Sequence, residues 1–276
     1  MTFFTTIHIA RKELRDALRS KWLLLYALAF VGLMTLLSLV SLAGSDIVGF
    51  GGFGRTAAVL VNLVIFLAPL VGLTTGATAI AAEREKGSID LLLAQPVTRL
   101  EVLLGKALGL SLALIAIMAL AFGASAIVIA SRKHSLEVAP FLALAGMTAA
   151  FTLIALMLGL LISAFAARVA PAVGAAIFVW LLITGLSDLG LMGSAIAFKL
   201  QAPTLLGAAL VNPAQVYKFS AVLSSNGSLD VLGPVGVYAQ RHFADALPTL
   251  LAGLFAAWLI CPLALAAGVF QWKGRG

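Results

Sequence analysis

The chain has 276 residues, 62% of them hydrophobic and 11% charged, with a formal net charge of +7. Its mean hydropathy is +1.11. A soluble domain has no polar skin large enough for that much apolar surface, and a solvated disordered coil tolerates far less of it, so the composition leaves a multi-spanning membrane protein.

The chain opens on Phe3, Ile7, Ala10, Leu14 and Leu18 at helical spacing, with Arg11, Lys12, Arg15, Asp16 and Arg19 on the other side. The pattern predicts an amphipathic helix over 1–21 lying in the membrane interface, or else a basic flank that only orients the first span. Six apolar runs follow, at 22–43, 57–82, 107–130, 138–167, 172–187 and 246–272. Each is close to the ~20 residues that a transmembrane helix needs. They predict an all-α membrane protein with six transmembrane helices, and the lack of short alternating segments excludes a closed barrel. The first run ends in Ser41-Leu42-Ala43, which resembles a signal cleavage site. Its long apolar stretch and long basic flank favour a retained span.

Lys and Arg set the orientation. Twelve fall on the side of the chain ends, among them Arg11, Lys12, Arg84, Lys86, Arg99, Lys106 and Arg168, against six on the other side. Both termini are therefore expected in the cytoplasm. This basic charge meets anionic lipid rather than nucleic acid.

No predicted span carries an Asp, Glu, Lys, Arg or His in its interior, while Glu137, Asp188 and Asp245 sit at edges. Such groups serve ion or proton coupling, so their absence argues against a proton-driven antiporter, a voltage sensor or a charged channel. No phosphate-binding G-x-x-x-x-G-K-[ST] motif occurs, so no ATP site is expected. His8, His134 and His242 lie in three different segments, the methionines are scattered, and Cys261 sits in an apolar run. These read as packing rather than metal ligation, and no cofactor is expected in this chain. Any energy for work should come from a partner. In the second run Gly72-x-x-x-Gly76 allows close helix approach, within the chain or between two copies.

The segment after the second run is the most informative. Gly87 is a helix stop, Ser88 an N-cap for a short helix, Pro96 its end, and Thr98 with Glu101 a capping box for the next helix. Ile89, Leu92 and Leu93 share one apolar face that docks on a partner or folds back on the bilayer. The last stretch before the sixth run, about 188–245, is too long for a turn and should hold short helices of its own on the outer side. It reads as a partner-docking surface or as a passive cap. The expected organisation is 1–21 interfacial, 22–187 the first five spans with a cytoplasmic coupling helix at about 83–101, 188–245 periplasmic, and 246–276 the sixth span and tail.

The segments "ARKELRDALRSKW" (10–22) and "EREKGSIDLLLAQPVTRLEVLLGK" (83–106) are together similar to the membrane subunits of ABC-2 type transporters. That resemblance implies a type V exporter-like permease in a bacterial inner membrane. It also implies that the short helix between spans two and three contacts a cytoplasmic ATPase subunit. Carried onto this sequence, Glu83 and Glu85 become polar anchors, Ile89, Asp90, Leu92 and Leu93 the docking helix, and Pro96 its turn. "LVNPAQVYKF" (210–219), taken with the N-terminal segment, resembles a narrower branch of the family that serves copper-site assembly in nitrous oxide reductase. This implies a permease homodimer, two ATPase subunits that hold ATP and Mg, and a periplasmic partner protein. Asn212, Pro213 and Tyr217 are the candidates for docking that partner. The cargo is then a sulfur or copper species, or the subunit acts mechanically on the partner. An exporter of another substrate and a non-transporting scaffold are the alternatives.

Overall fold

A computed structural model of the chain describes residues 3–43, 52–88, 97–132, 138–186, 190, 201–224, 229–243 and 246–272. Among these, every regular element is helical. In chain order they are α1 (Phe3–Arg19), α2 (Lys21–Ala43), α3 (Gly52–Glu85), α4 (Arg99–Arg132), α5 (Val138–Phe165), α6 (Val169–Leu181), α7 (Ala202–Leu210), α8 (Pro213–Ser224), α9 (Pro234–Phe243) and α10 (Leu247–Trp272). A π turn over Leu182–Leu186 extends α6, and a 3₁₀ turn over Leu229–Leu232 precedes α9.

Each of the six apolar runs carries a helix. Among the described residues, four helices are long and apolar enough to cross a membrane by themselves: Val61–Glu85, Arg99–Ser131, Val138–Phe165 and Leu247–Trp272. The α1–α2 pair, bent by 67°, is a fifth candidate when taken as one span. The segment Val169–Gly185 is apolar but shorter.

The bundle is built around α3 crossing α5. A Cβ on Gly72 would stand 2.5 Å from the Thr152 carbonyl oxygen, and one on Gly76 would run into the backbone of Leu156 and Gly159. Gly159 faces Leu73 and Ala77 in return. The Gly72–Gly76 pair thus serves a contact inside the chain, where van der Waals packing and backbone proximity replace the missing hydrophobic drive. Ser163 adds to it, accepting from the backbone N–H of Ile80 and Ala81 at 2.9 Å each. Next to this crossing α4 packs on α2 and α5, α6 lies on α3, and α10 lies on α5.

A second close approach lies between α1 and α4. A Cβ on Gly105 would meet Ile9 Cγ2 at 2.6 Å, and one on Gly109 would meet Glu13 Cβ at 2.7 Å. Of the apolar stripe, Ile7 and Leu18 are exposed, whereas Ala10, together with Glu13 and Ala17, is buried against the bundle. Small side chains let α1 sit on the glycines of α4, and that contact decides which side turns inward.

At the opposite end, α7, α8, α9 and the first turns of α10 enclose a separate apolar cluster, including Leu206, Val216, Phe219, Leu229, Leu247 and Leu251. The expected short helices of the long segment are thus present.

Candidate functional site

The charged residues converge where α3 ends and α4 begins. Four side chains meet there. Lys106 Nζ lies 2.8 Å from Glu83 Oε1 and 2.9 Å from Glu13 Oε1, and Lys12 Nζ lies 3.6 Å from Glu13 Oε1 and 3.7 Å from Glu83 Oε1. The Lys106 side chain is 2% exposed and that of Glu83 18%. Two carboxylates balance two ammonium groups, which is the condition for keeping charge away from water. Burial alone would lower the pKa of the Lys12 amine, but the neighbouring charges of Glu13, Glu83 and Asp16 outweigh it and raise it above 10.5.

α4 explains how Lys106 comes to be buried. Its 34 residues at about 1.5 Å each far exceed a hydrocarbon core of about 30 Å. The helix begins at Arg99, so Lys106 stands two turns inside it and between Gly105, which faces α1, and Ala107. Lys106 thus lies on the helix that the Thr98–Glu101 capping box opens, and it pairs with Glu83 of α3 and Glu13 of α1.

The next two residues of α3 point elsewhere, because successive helical residues project about 100° apart. The Arg84 guanidinium donates to the carbonyls of Ala164 (3.3 Å) and Ala166, at the end of α5. Glu85 Oε2 accepts from the Val169 N–H at 2.6 Å, at the start of α6. A cation on a helix C-terminus and an anion on a helix N-terminus both complement the backbone dipoles. Glu83, Arg84 and Glu85 therefore tie the end of α3 to α1 and α4, to α5, and to α6.

α4 is anchored on its other side. Thr98 N–H donates to Glu101 Oε2 at 2.8 Å and Glu101 N–H to Thr98 Oγ1 at 3.3 Å, the predicted capping box. Arg99 donates to the Phe270 carbonyl at 3.2 Å and lies 5.5 Å from the centre of its ring, joining α4 to the end of α10. Gly87, at φ +68°, closes α3 as expected, and Ser88 Oγ donates back to the Glu83 carbonyl. Ile89, Asp90, Leu92, Leu93 and Pro96 lie outside the described residues. What the structure gives is their platform: both ends of that segment are bonded to every long helix around it except α2.

Beside the quartet opens a cavity of about 1080 Å³ between α1, α2, α3, α4 and α6. Lys12, Glu13, Glu83 and Lys106 are among its lining residues, as are Thr74, Thr75 and Thr78 of α3. Thr74 and Thr78 donate to the carbonyls of Leu70 and Thr74 in their own helix, at 2.8 and 3.1 Å. Among the described residues there is no group of three or more His, Cys, Asp or Glu that could hold a metal ion.

The outer candidates are internal. Tyr217 is fully buried, its ring stacked on Phe151 at 4.9 Å and its hydroxyl 3.0 Å from Thr148 Oγ1. Pro213 is buried at the first turn of α8. Asn212, half-buried, accepts from the Ala214 N–H at 2.8 Å and donates to the Ile183 carbonyl at 3.0 Å. It caps α8 and ties it to α6. In this arrangement Pro213 and Tyr217 offer no side-chain surface to a partner; Asn212 and Tyr217 hold α8 on the bundle.

Sequence reasoning did not single out Glu13, Lys12, Arg84 or Lys106 as site residues. The available signal was Gly105-Lys106-x-x-Gly109, a lysine set among glycines that seat another helix.

The chain matches the family described as ABC-2 family transporter protein over residues 7–275. It is 32% identical over 273 residues to the probable ABC transporter permease protein NosY of Stutzerimonas stutzeri, covering 96% of this chain and 97% of that one. It is 33% identical over 272 residues to the protein of the same name from Pseudomonas aeruginosa, covering 95% and 96%. Helices of membrane-spanning length, charges drawn together at one end of them, and end-to-end similarity to permeases agree: this chain is a membrane protein of the ABC-2 transporter family, a NosY-like permease subunit.

Proposed function

We propose that this permease converts nucleotide-driven movement of two separate cytoplasmic ATPase subunits into rearrangement of its helices, through the junction at Glu83, Arg84, Glu85 and Lys106. The carrying observation is that three consecutive residues bond to four different helices. A force on the segment after Gly87 then reaches α1, α4, α5 and α6 together, with no soft linker between. ATP and Mg belong to the ATPase partner in this reading, and this chain supplies no catalytic group.

The six apolar helices, with both termini cytoplasmic and the chain paired with a second copy in a bacterial inner membrane, form the frame of the proposal. The positive-inside count supports it. The similarity to NosY supports the narrower reading: assembly of the copper site of nitrous oxide reductase, by moving a sulfur or copper species or by mechanical action on a periplasmic NosD-like partner. Asn212, Pro213 and Tyr217 then contribute by fixing the outer helices that meet it.

The test is reconstitution in liposomes with and without the companion ATPase. The reading expects no ATP hydrolysis from this chain alone, hydrolysis from the complex, and loss of reductase copper content in cells when the ATPase is inactivated. Hydrolysis by this chain alone would contradict the division of labour. Full maturation with a dead ATPase would favour a scaffold instead.

A further inference from the structure

We propose that the outward side of α1 is a binding surface for the anionic phospholipids of the leaflet it lies against. Arg11, Arg15 and Arg19 recur every four residues and are all exposed, with His8 continuing their line. Beside them, Phe4 is 76% exposed, Ile7 43% and Leu18 44%, followed by Trp22 at 67% where α2 begins. At 100° per residue Ile7 and Leu18 border the arginines on one flank and Phe4 falls on the arginine line itself, while the opposite face of Ala10, Glu13 and Ala17 is already taken by α4. Among the described residues no carboxylate forms an ion pair with any of the three arginines, whereas Lys12, turned to the other flank, is paired with Glu13 and Glu83. Asp16 is exposed on the Lys12 flank and its charge acts on Lys12.

The bend gives the orientation. α1 departs from α2 by 67°, so with α2 crossing the bilayer α1 runs closer to its plane than to its normal. Unpaired guanidinium groups then lie at headgroup level, with the apolar edge at the acyl boundary. Arginine is suited to phosphate because its planar fork bonds two oxygens at once. An acidic protein surface would match the arginines but would leave Phe4, Ile7 and Leu18 facing water. A phospholipid with a net negative headgroup matches both.

The experiment uses the full chain in nanodiscs made from equal amounts of phosphatidylcholine and phosphatidylglycerol, with retained lipid measured by mass spectrometry after transfer to mild detergent. Wild type should retain phosphatidylglycerol in excess, and the excess should shrink as salt rises. Each Arg→Gln at 11, 15 or 19 should weaken the preference by about fivefold at most. The triple Arg→Lys variant should keep most of it. Single variants give the same answer stepwise should the triple Gln variant fail to accumulate. No excess in wild type, or an excess that survives all three Gln substitutions, overturns the proposal. So does a triple Gln variant that keeps its lipid but no longer binds the ATPase subunit, which would make this side a protein contact.

Discussion

The Lys106 ammonium and the Glu83 carboxylate meet at 2.8 Å, joining the first turns of one long helix to the last turn of another. Glu13 closes the same contact from α1 at 2.9 Å. Removing Lys106 would leave two largely buried carboxylates with only the more distant, exposed ammonium of Lys12 between them. Lys106→Met should therefore destabilise the protein by about 3–5 kcal/mol, seen as a lower unfolding temperature in detergent. Adding Glu83→Gln and Glu13→Gln to Lys106→Met should recover part of that loss. A Lys106→Met variant as stable as wild type would remove the quartet from the account.

The α3–α5 crossing should tolerate no added bulk. Gly76→Val must push backbone against backbone at Leu156 and Gly159, so a cost at or above the usual 1–3 kcal/mol of overpacking is expected. Gly123→Ala is the control, because nothing stands within 4 Å of its added methyl. Thermal unfolding of the two variants side by side checks this.

Tyr217 separates packing from hydrogen bonding. Tyr217→Phe keeps the stack on Phe151 and loses only the contact with Thr148, so a loss of about 0.5–1.5 kcal/mol is expected. Tyr217→Ala empties a fully buried site and should cost about 3–5 kcal/mol. Protease sensitivity of 201–243 should rise in the second variant only.

Lys12 predicts a pH dependence on the alkaline side. Its amine is held above 10.5 in the folded chain, so its attraction to Glu13 and Glu83 is complete below pH 10.5 and fades as pH rises through the raised value. The stability difference between wild type and Lys12→Gln should be flat from pH 6 to 9 and shrink above 10.5. A difference that instead shrinks between pH 9 and pH 6 would show that Lys12 is not the group responsible.

Local chemistry in the sequence reached the structure intact. The apolar runs became helices, Thr98 and Glu101 capped α4, Gly87 took positive φ where α3 stops, and Gly72 and Gly76 met a neighbour. These features are set within a turn or two of chain. The junction was not legible because its partners are far apart: Glu13 and Lys106 are 93 residues from each other, and Arg84 and Ala166 are 82. In sequence each charge looks like a solvated flank of an apolar run. Only the α1–α4 and α3–α5 contacts, both made through glycine, bring these charges together. Which side of α1 turns towards the bundle was not legible for the same reason, since the neighbour that decides it is α4. Tyr217 and Pro213 stood out in a motif, but a motif cannot say whether its residues face outward or hold the fold together.

The central claim is that Glu83, Arg84 and Glu85 pass motion from an ATPase to the helices, and a coupling ratio tests it most directly. In the reconstituted complex with the companion ATPase, ATP hydrolysis is measured for wild type and for the Arg84→Gln, Glu85→Arg double variant, alongside reductase copper content in cells carrying each. The account predicts a complex that still assembles and hydrolyses ATP within about twofold of wild type, while copper content falls toward that of a strain lacking the permease. Unchanged copper content in a variant whose ties to α5 and α6 are cut would contradict it.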